Sequence, residues 1–257
     1  MSLPILISNR LTKLVGNLVK GLGYIFHLLL PKTRFTIPEY SAPLFKSKDT
    51  QKIPKILWQT NYTNKVSLPM YINYLFNRLM SYNYEYRYAS DEAILTFFDE
   101  HASIEETTAY KKLNDGAAKA DFWRVTVLYH IGGVYLDIDA ALVWPLSKLI
   151  HTDDTELFIK NKLHYTNYFL ATAPKNDVFE KGIAIIVDNI KHKRIAGGAY
   201  AMTGPEIINS AIDTKEVHTN FYRYVCTQGA FTNEYFHYID KKQGKWIHTN
   251  DDDLLND

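Results

Sequence analysis

The 257-residue sequence predicts an α/β fold with a mostly parallel central sheet. Three observations predict it. Short apolar runs alternate with helical stretches from Ile53 to about residue 190. Tyrosines recur with strict period two from Tyr82 to Tyr88, the mark of a strand. Gly132-Gly133 separates a helical stretch from the apolar run Val134-Tyr135-Leu136. One cysteine, Cys226, excludes a disulfide framework, and no Cys/His spacing suits zinc. A composition of 46% apolar and 22% charged residues is neither disordered nor that of a multi-span membrane protein. With 29 basic against 28 acidic side chains, the net charge of +1 lacks the cationic excess a dedicated nucleic-acid binder needs. The 19 tyrosines suit a core and equally suit stacking on sugars or bases.

The first thirty residues contain no acid. At helical spacing Leu11, Leu14, Val15, Leu18, Leu22, Ile25 and Leu29 share one side, opposite Arg10, Lys13, Asn17, Lys20 and His27. This is a basic amphipathic helix over 1–30, poor as a membrane span because of its cations. It is also poor as a signal peptide, because no charged segment precedes Leu3-Pro4-Ile5-Leu6-Ile7. It lies on a membrane surface or docks on protein, and both readings stay open.

Residues 31–52 hold three prolines without periodicity and read as an extended linker. A domain over 53–250 follows, opening with a buried strand at Lys55-Ile56-Leu57-Trp58. A helix over 68–80, the tyrosine strand and a helix over 91–101 capped at Ser90-Asp91 come next. Then come a helix over 116–131, a strand over 134–139, two strands at 157–160 and 167–172, and a helix at 177–191. Residues 251–257 read as a solvated acidic tail without chemistry.

The segment from Ala117 to Asp139 carries the chemistry. Asp137 and Asp139, two apart on a strand, would share a face at the sheet's carboxyl edge, where open α/β sheets bind ligands. Two carboxylates there suit Mn²⁺ or Mg²⁺, hard cations that share oxygen ligands with phosphates. An Asp-x-Asp alone is common by chance. Here apolar flanks on both sides make two acids costly without a counter-charge. Asp121 and Arg124 sit at i and i+3 among apolar neighbours, so they are poorly explained as a solvated ion pair. They suit a sugar clamp, the carboxylate accepting from hydroxyls and the guanidinium donating to hydroxyl or phosphate.

Ala117-Ala118, Asp121, Arg124, Gly132-Gly133, Tyr135, Asp137, Asp139 and Pro145-Leu146 together resemble the core of DxD-containing glycosyltransferases of the Och1-like, capsular-polysaccharide type. More distantly, they resemble the glucosyltransferase domains of clostridial toxins. Ile53-Pro54-Lys55-Ile56-Leu57-Trp58-Gln59-Thr60 is similar to that family's opening strand, with Trp58 in place of the usual His. Thr203-Gly204-Pro205 matches a further element, and the resemblance runs over about 53–210. Family members often end in His followed by Ser-Trp, whereas here His237 precedes Lys245-Trp246.

The resemblance implies a GT-A fold and transfer of a hexose from a UDP- or GDP-sugar, usually with retention. It implies a metal at Asp137 and Asp139, a donor sugar held by Asp121 and Arg124 with Tyr135 beside it, and a nucleoside facing Gln59 and Thr60. Thr203 and Gly204 would line the pocket. The acceptor would be a glycan or lipid-linked saccharide of surface polysaccharide or lipopolysaccharide synthesis. The enzyme would be cytoplasmic, peripheral to the inner face of the membrane. Alternatives are a toxin-like enzyme acting on a host protein, a metal-dependent hydrolase or phosphotransferase, and a non-catalytic glycan-binding module. His101, His130, His151, His164 and His192 lack a metal-ligand spacing, and Lys191-His192-Lys193-Arg194 reads as a helix C-terminus.

Overall fold

The structure, a computed structural model, describes residues 3–46, 49–241 and 250–256. Helix α1 (Leu3–Leu29) docks on the body by the face opposite its leucines: Asn9, Thr12, Gly16, Gly23 and His27 are buried, while Arg10 and Asn17 stay exposed. Gly16 and Gly23 permit this approach, since a Cβ on Gly16 would stand 2.2 Å from the Ala230 carbonyl oxygen and one on Gly23 2.3 Å from Pro69 Cγ. The leucine side points outward.

The stretch 31–52 is not a linker. It forms β1 (Phe35–Thr36) and β2 (Tyr40–Ser41), and Ile37 is fully buried. Two-residue strands carry no readable period, so pairing supplies what the pattern lacked. β3 (Ile56–Thr60) begins the expected core, and β4 (Lys65–Val66) pairs antiparallel with β1. Pro69 in its first turn starts α2 (Leu68–Met80). β5 (Glu85–Ala89) buries Tyr86 and Tyr88, with Tyr84 buried just ahead of it. α3 (Asp91–His101) is capped by Ser90, α4 (Ile104–Lys112) by Ser103, and α5 (Gly116–His130) by Asp115.

β6 (Gly133–Leu136) follows a Gly-Gly turn that no other pair of residues fits well. Gly132 and Gly133 have φ of +77° and +108°, and a Cβ on Gly133 would meet the Ile56 carbonyl oxygen at 2.9 Å. The chain continues through β7 (Ala140–Leu142), α6 (Leu146–Leu149), β8 (Glu156–Lys160), β9 (Tyr165–Thr172) and α7 (Asp177–Lys191). It closes with α8 (Gly198–Met202), α9 (Pro205–Ile212), β10 (Thr219–Phe221), β11 (Cys226–Gln228) and α10 (Glu234–His237).

The main sheet has the order β10-β8-β9-β6-β3-β5-β2. β3, β5, β6, β8 and β10 run one way, and β2 and β9 run against them. Alternate side chains feed two cores. Trp58 and Tyr135 join Trp123, Phe122 and Phe179 on the α5/α7 face. Leu57, Val134 and Leu136 join Met70 and Tyr74 of α2 on the other.

The acidic tail is also part of the fold. Leu254 is buried in the α5/α7 core, Asn114 N–H donates to its carbonyl at 2.8 Å, and Leu255 bridges to Leu113. Burial of one leucine outweighed the solvation its aspartate neighbours would prefer.

Candidate active site

Asp137 and Asp139 follow the end of β6 on a turn, not on the strand itself. Ala140 N–H donates to the Asp137 carbonyl at 2.9 Å, closing that turn into β7. The two carboxylates therefore converge by reversal of the chain rather than by strand alternation. A single donor marks their convergence: Gln228 Nε2 lies 3.4 Å from Asp137 Oδ2 and 3.2 Å from Asp139 Oδ1.

The turn is built from below by α2. Asn73 donates to the carbonyls of Ile138 and Ala140 at 2.8 and 3.0 Å. Asn77, one helical turn later, donates to Ala140 at 2.8 Å and accepts from Leu142 N–H at 2.9 Å. Gln59 Nε2 reaches the carbonyls of Leu136 and Asp137 at 3.2 and 3.3 Å. These buried amides satisfy backbone groups that the sheet ladder leaves over.

Asp121 and Arg124 lie against this turn from α5. Arg124 Nη2 is 3.2 Å from both Asp121 Oδ1 and Asp137 Oδ1. Its Nη1 donates to the Asn167 carbonyl at 2.8 Å and its Nε to the Ala120 carbonyl at 3.3 Å. The guanidinium also stacks 4.4 Å from the Tyr135 ring centre. Arg124 is thus an internal counter-charge to both carboxylates.

Burial opposes the charge on Arg124, but Asp137, Tyr135 and Asp121 hold its pKa above the usual range. Burial pushes the Asp121 carboxyl up to about 6, with Arg124 pulling it down and Asp137 pushing it further up. Burial likewise raises Asp137, opposed by Arg124 and reinforced by the charge on Asp139. Asp121 Oδ1 accepts from Asn167 Nδ2 at 2.9 Å, whereas among the described residues Oδ2 has a long 3.4 Å contact from Thr203 Oγ1. Oδ2 is the oxygen with capacity to spare. Tyr135 donates its hydroxyl to Asp137 Oδ1 at 2.9 Å.

The structure brings together Asp121, Arg124, Tyr135, Asp137, Asp139 and Thr203, as the sequence predicts. Gly204 backs Thr203 because a Cβ there would meet the Tyr200 carbonyl oxygen at 2.8 Å. Gln59 and Thr60 differ from expectation: Gln59 is fully buried beneath the turn, and Thr60 Oγ1 donates to the Ala89 carbonyl at 2.8 Å. Neither faces an open nucleoside pocket. Trp58 donates to the Gly132 carbonyl at 2.9 Å and packs edge-on against Trp123. His237, matched in sequence to the family's terminal His without a role, reaches the site, its Nδ1 4.0 Å from Asp139 Oδ2 and its Nε2 3.0 Å from Asn61 Oδ1. Burial lowers its pKa to about 4, so it is neutral at neutral pH. Lys245 and Trp246 lie outside the described residues.

The donor set fits a hard divalent cation. Two carboxylates from one turn converge on a single donor atom, and Arg124 pairs with Asp137 beside them. Among the described residues no group of three His, Cys, Asp or Glu is placed to hold an ion, so phosphate or water oxygens would complete the shell.

Residues 69–156 match the family described as "Glycosyltransferase sugar-binding region containing DXD motif", a span that includes Asp121, Arg124, Asp137 and Asp139. No curated protein sequence matches the chain significantly. A solved structure, PaToxG glycosyltransferase, shares the fold with a TM-score of 0.52 at 14% identity, covering 81% of this chain and 78% of that one. The glycosyltransferase domain of the YGT toxin aligns ligand-free with a TM-score of 0.41 at 15% identity, over 58% of this chain and 54% of that one. Its UDP-bound form aligns at 0.40 and 13% identity, over 64% and 56%.

Proposed function

We propose that this DXD-containing glycosyltransferase moves a hexose from a UDP- or GDP-sugar to a glycan or lipid-linked saccharide, with retention at the anomeric carbon. The observation that supports the reading is the convergence of Asp137 and Asp139 on one point, backed by the buried Asp121–Arg124 pair. Asp137 and Asp139 would hold Mn²⁺ or Mg²⁺, whose chemistry there is neutralisation of charge on the donor diphosphate.

The chain's own residues supply position and electrostatics. Arg124 opposes the burial that raises the Asp121 and Asp137 carboxyls and fixes their separation by pairing with both through one nitrogen. At neutral pH, above its pKa of about 6, Asp121 is a charged acceptor whose Oδ2 would take a hydroxyl of the donor sugar. Asn73 and Asn77 hold the turn rigid, so little reorganisation is left for the moment of reaction.

The test is incubation of the full chain with UDP- and GDP-hexoses and Mn²⁺. Release of UDP or GDP, lost in Asp139→Asn, supports the reading. Absence of turnover with every donor, alongside glycan binding without nucleotide, would favour the lectin-like alternative. Turnover that requires a protein acceptor would favour the toxin-like one.

A further inference from the structure

The outward side of α1 has no partner. Of the 22 large apolar side chains exposed among the described residues, 12 fall between Leu3 and Leu30, so exposed hydrophobicity is concentrated on this one element. Ile7, Leu11, Leu14, Leu18, Leu22, Ile25 and Leu29 form its stripe, each between 51% and 72% exposed. They lie opposite the buried Asn9, Thr12, Gly16, Gly23 and His27. The helix is held firmly in that orientation. Ser8 Oγ donates to the Val143 carbonyl at 2.6 Å, Asn9 Nδ2 to Arg223 at 2.8 Å, and Lys20 Nζ to Gly229 at 3.2 Å.

We infer that this stripe seats the protein on the surface of an anionic phospholipid bilayer. Two features favour a bilayer over a second copy of the chain. Steps of four, three, four, four, three and four residues along the stripe average close to the straight-helix period of about 3.6. A left-handed helix pair needs about 3.5, whereas a straight stripe about 33 Å long fits a plane. Charge is the second feature: no acid occurs before Glu39, and the exposed Arg10 flanks the stripe. Among the described residues no helix is long and apolar enough to cross a membrane, so α1 lies in the interface plane.

The docked face reaches the site's support. Lys20 holds Gly229, whose N–H donates to the Asp139 carbonyl at 2.9 Å. Membrane seating and the aspartate turn therefore share one rigid connection.

The experiment is co-sedimentation of the full chain with vesicles of phosphatidylcholine plus phosphatidylglycerol, and with phosphatidylcholine alone. Wild type sediments with the anionic vesicles. Arg10→Gln lowers that affinity about fivefold, the effect of one interfacial cation. Leu18→Glu/Leu22→Glu abolishes it while leaving the thermal melt unchanged, because both side chains point away from the body. The inference is overturned by any of three results: wild type left in the supernatant, equal binding to neutral vesicles, or a wild-type dimer without vesicle binding that the leucine pair converts to monomer. No donor or acceptor enters the assay, so its failure leaves the proposed transfer reaction untouched.

Discussion

Asp121→Asn separates function from stability at this site. The Asp121 carboxyl titrates at about 6 in the folded protein against an ordinary value of 3.8. The folded state therefore binds this proton more tightly than the unfolded state between those two values. Stability from this group is fully present below about pH 4 and is lost as pH rises through about 6. A shift of about 2 units corresponds to about 3 kcal/mol. Asparagine fits the same contacts: its carbonyl can accept from Asn167 and Arg124, and its amide nitrogen can occupy the Oδ2 position beside the Thr203 hydroxyl. Urea unfolding at pH 4 should find the variant and wild type equal. At pH 8 the variant should be more stable by up to about 3 kcal/mol. Its transfer activity should nonetheless fall about a hundredfold, because a donor replaces the charged acceptor facing the sugar hydroxyl. A variant less stable than wild type at pH 8 would refute this reasoning and make Asp121 a structural partner of Arg124.

Asp137→Asn and Asp139→Asn should each abolish transfer while circular dichroism stays near wild type, since neither changes core volume. Gly133→Ala should cost about 2 kcal/mol or more in chemical unfolding, from its left-handed φ and the Ile56 carbonyl in the way of a Cβ. Asn77→Ala should lower kcat with little change in donor KM, because Asn77 shapes the turn through Ala140 and Leu142 and touches neither carboxylate. Recovery of kcat in Asn77→Asp would contradict that role, as the carboxylate cannot donate to Ala140.

The site was legible in the sequence where its residues are close in the chain. Asp121, Arg124, Tyr135, Asp137 and Asp139 span one helix, one strand and the turn that follows it, so local spacing places them together. Their partners were not legible. Asn73, Asn77, Asn167, Gln228 and His237 reach the site through tertiary packing, and an amide in a helix or strand looks like any surface amide. The aspartates themselves were placed on a strand because Ile138 continues the apolar alternation; a hydrogen bond from Ala140 turns the chain instead. The misread tail and linker share a cause. Leu254 and Ile37 are single apolar anchors, and one residue has no period. For α1 the amphipathic pattern was correct, but only packing reveals that the face opposite the leucines docks, through Asn9, Thr12, Gly16, Gly23 and His27.

The central claim is that Asp137 and Asp139 form one cation-dependent seat for a nucleotide diphosphate. Isothermal titration of UDP and GDP into wild type and Asp139→Asn, with Mn²⁺ and with chelator, tests it most directly. One of the two nucleotides should bind wild type only with Mn²⁺ and should bind Asp139→Asn weakly in either condition. Binding of equal strength in chelator, or retained in the variant, would contradict the account.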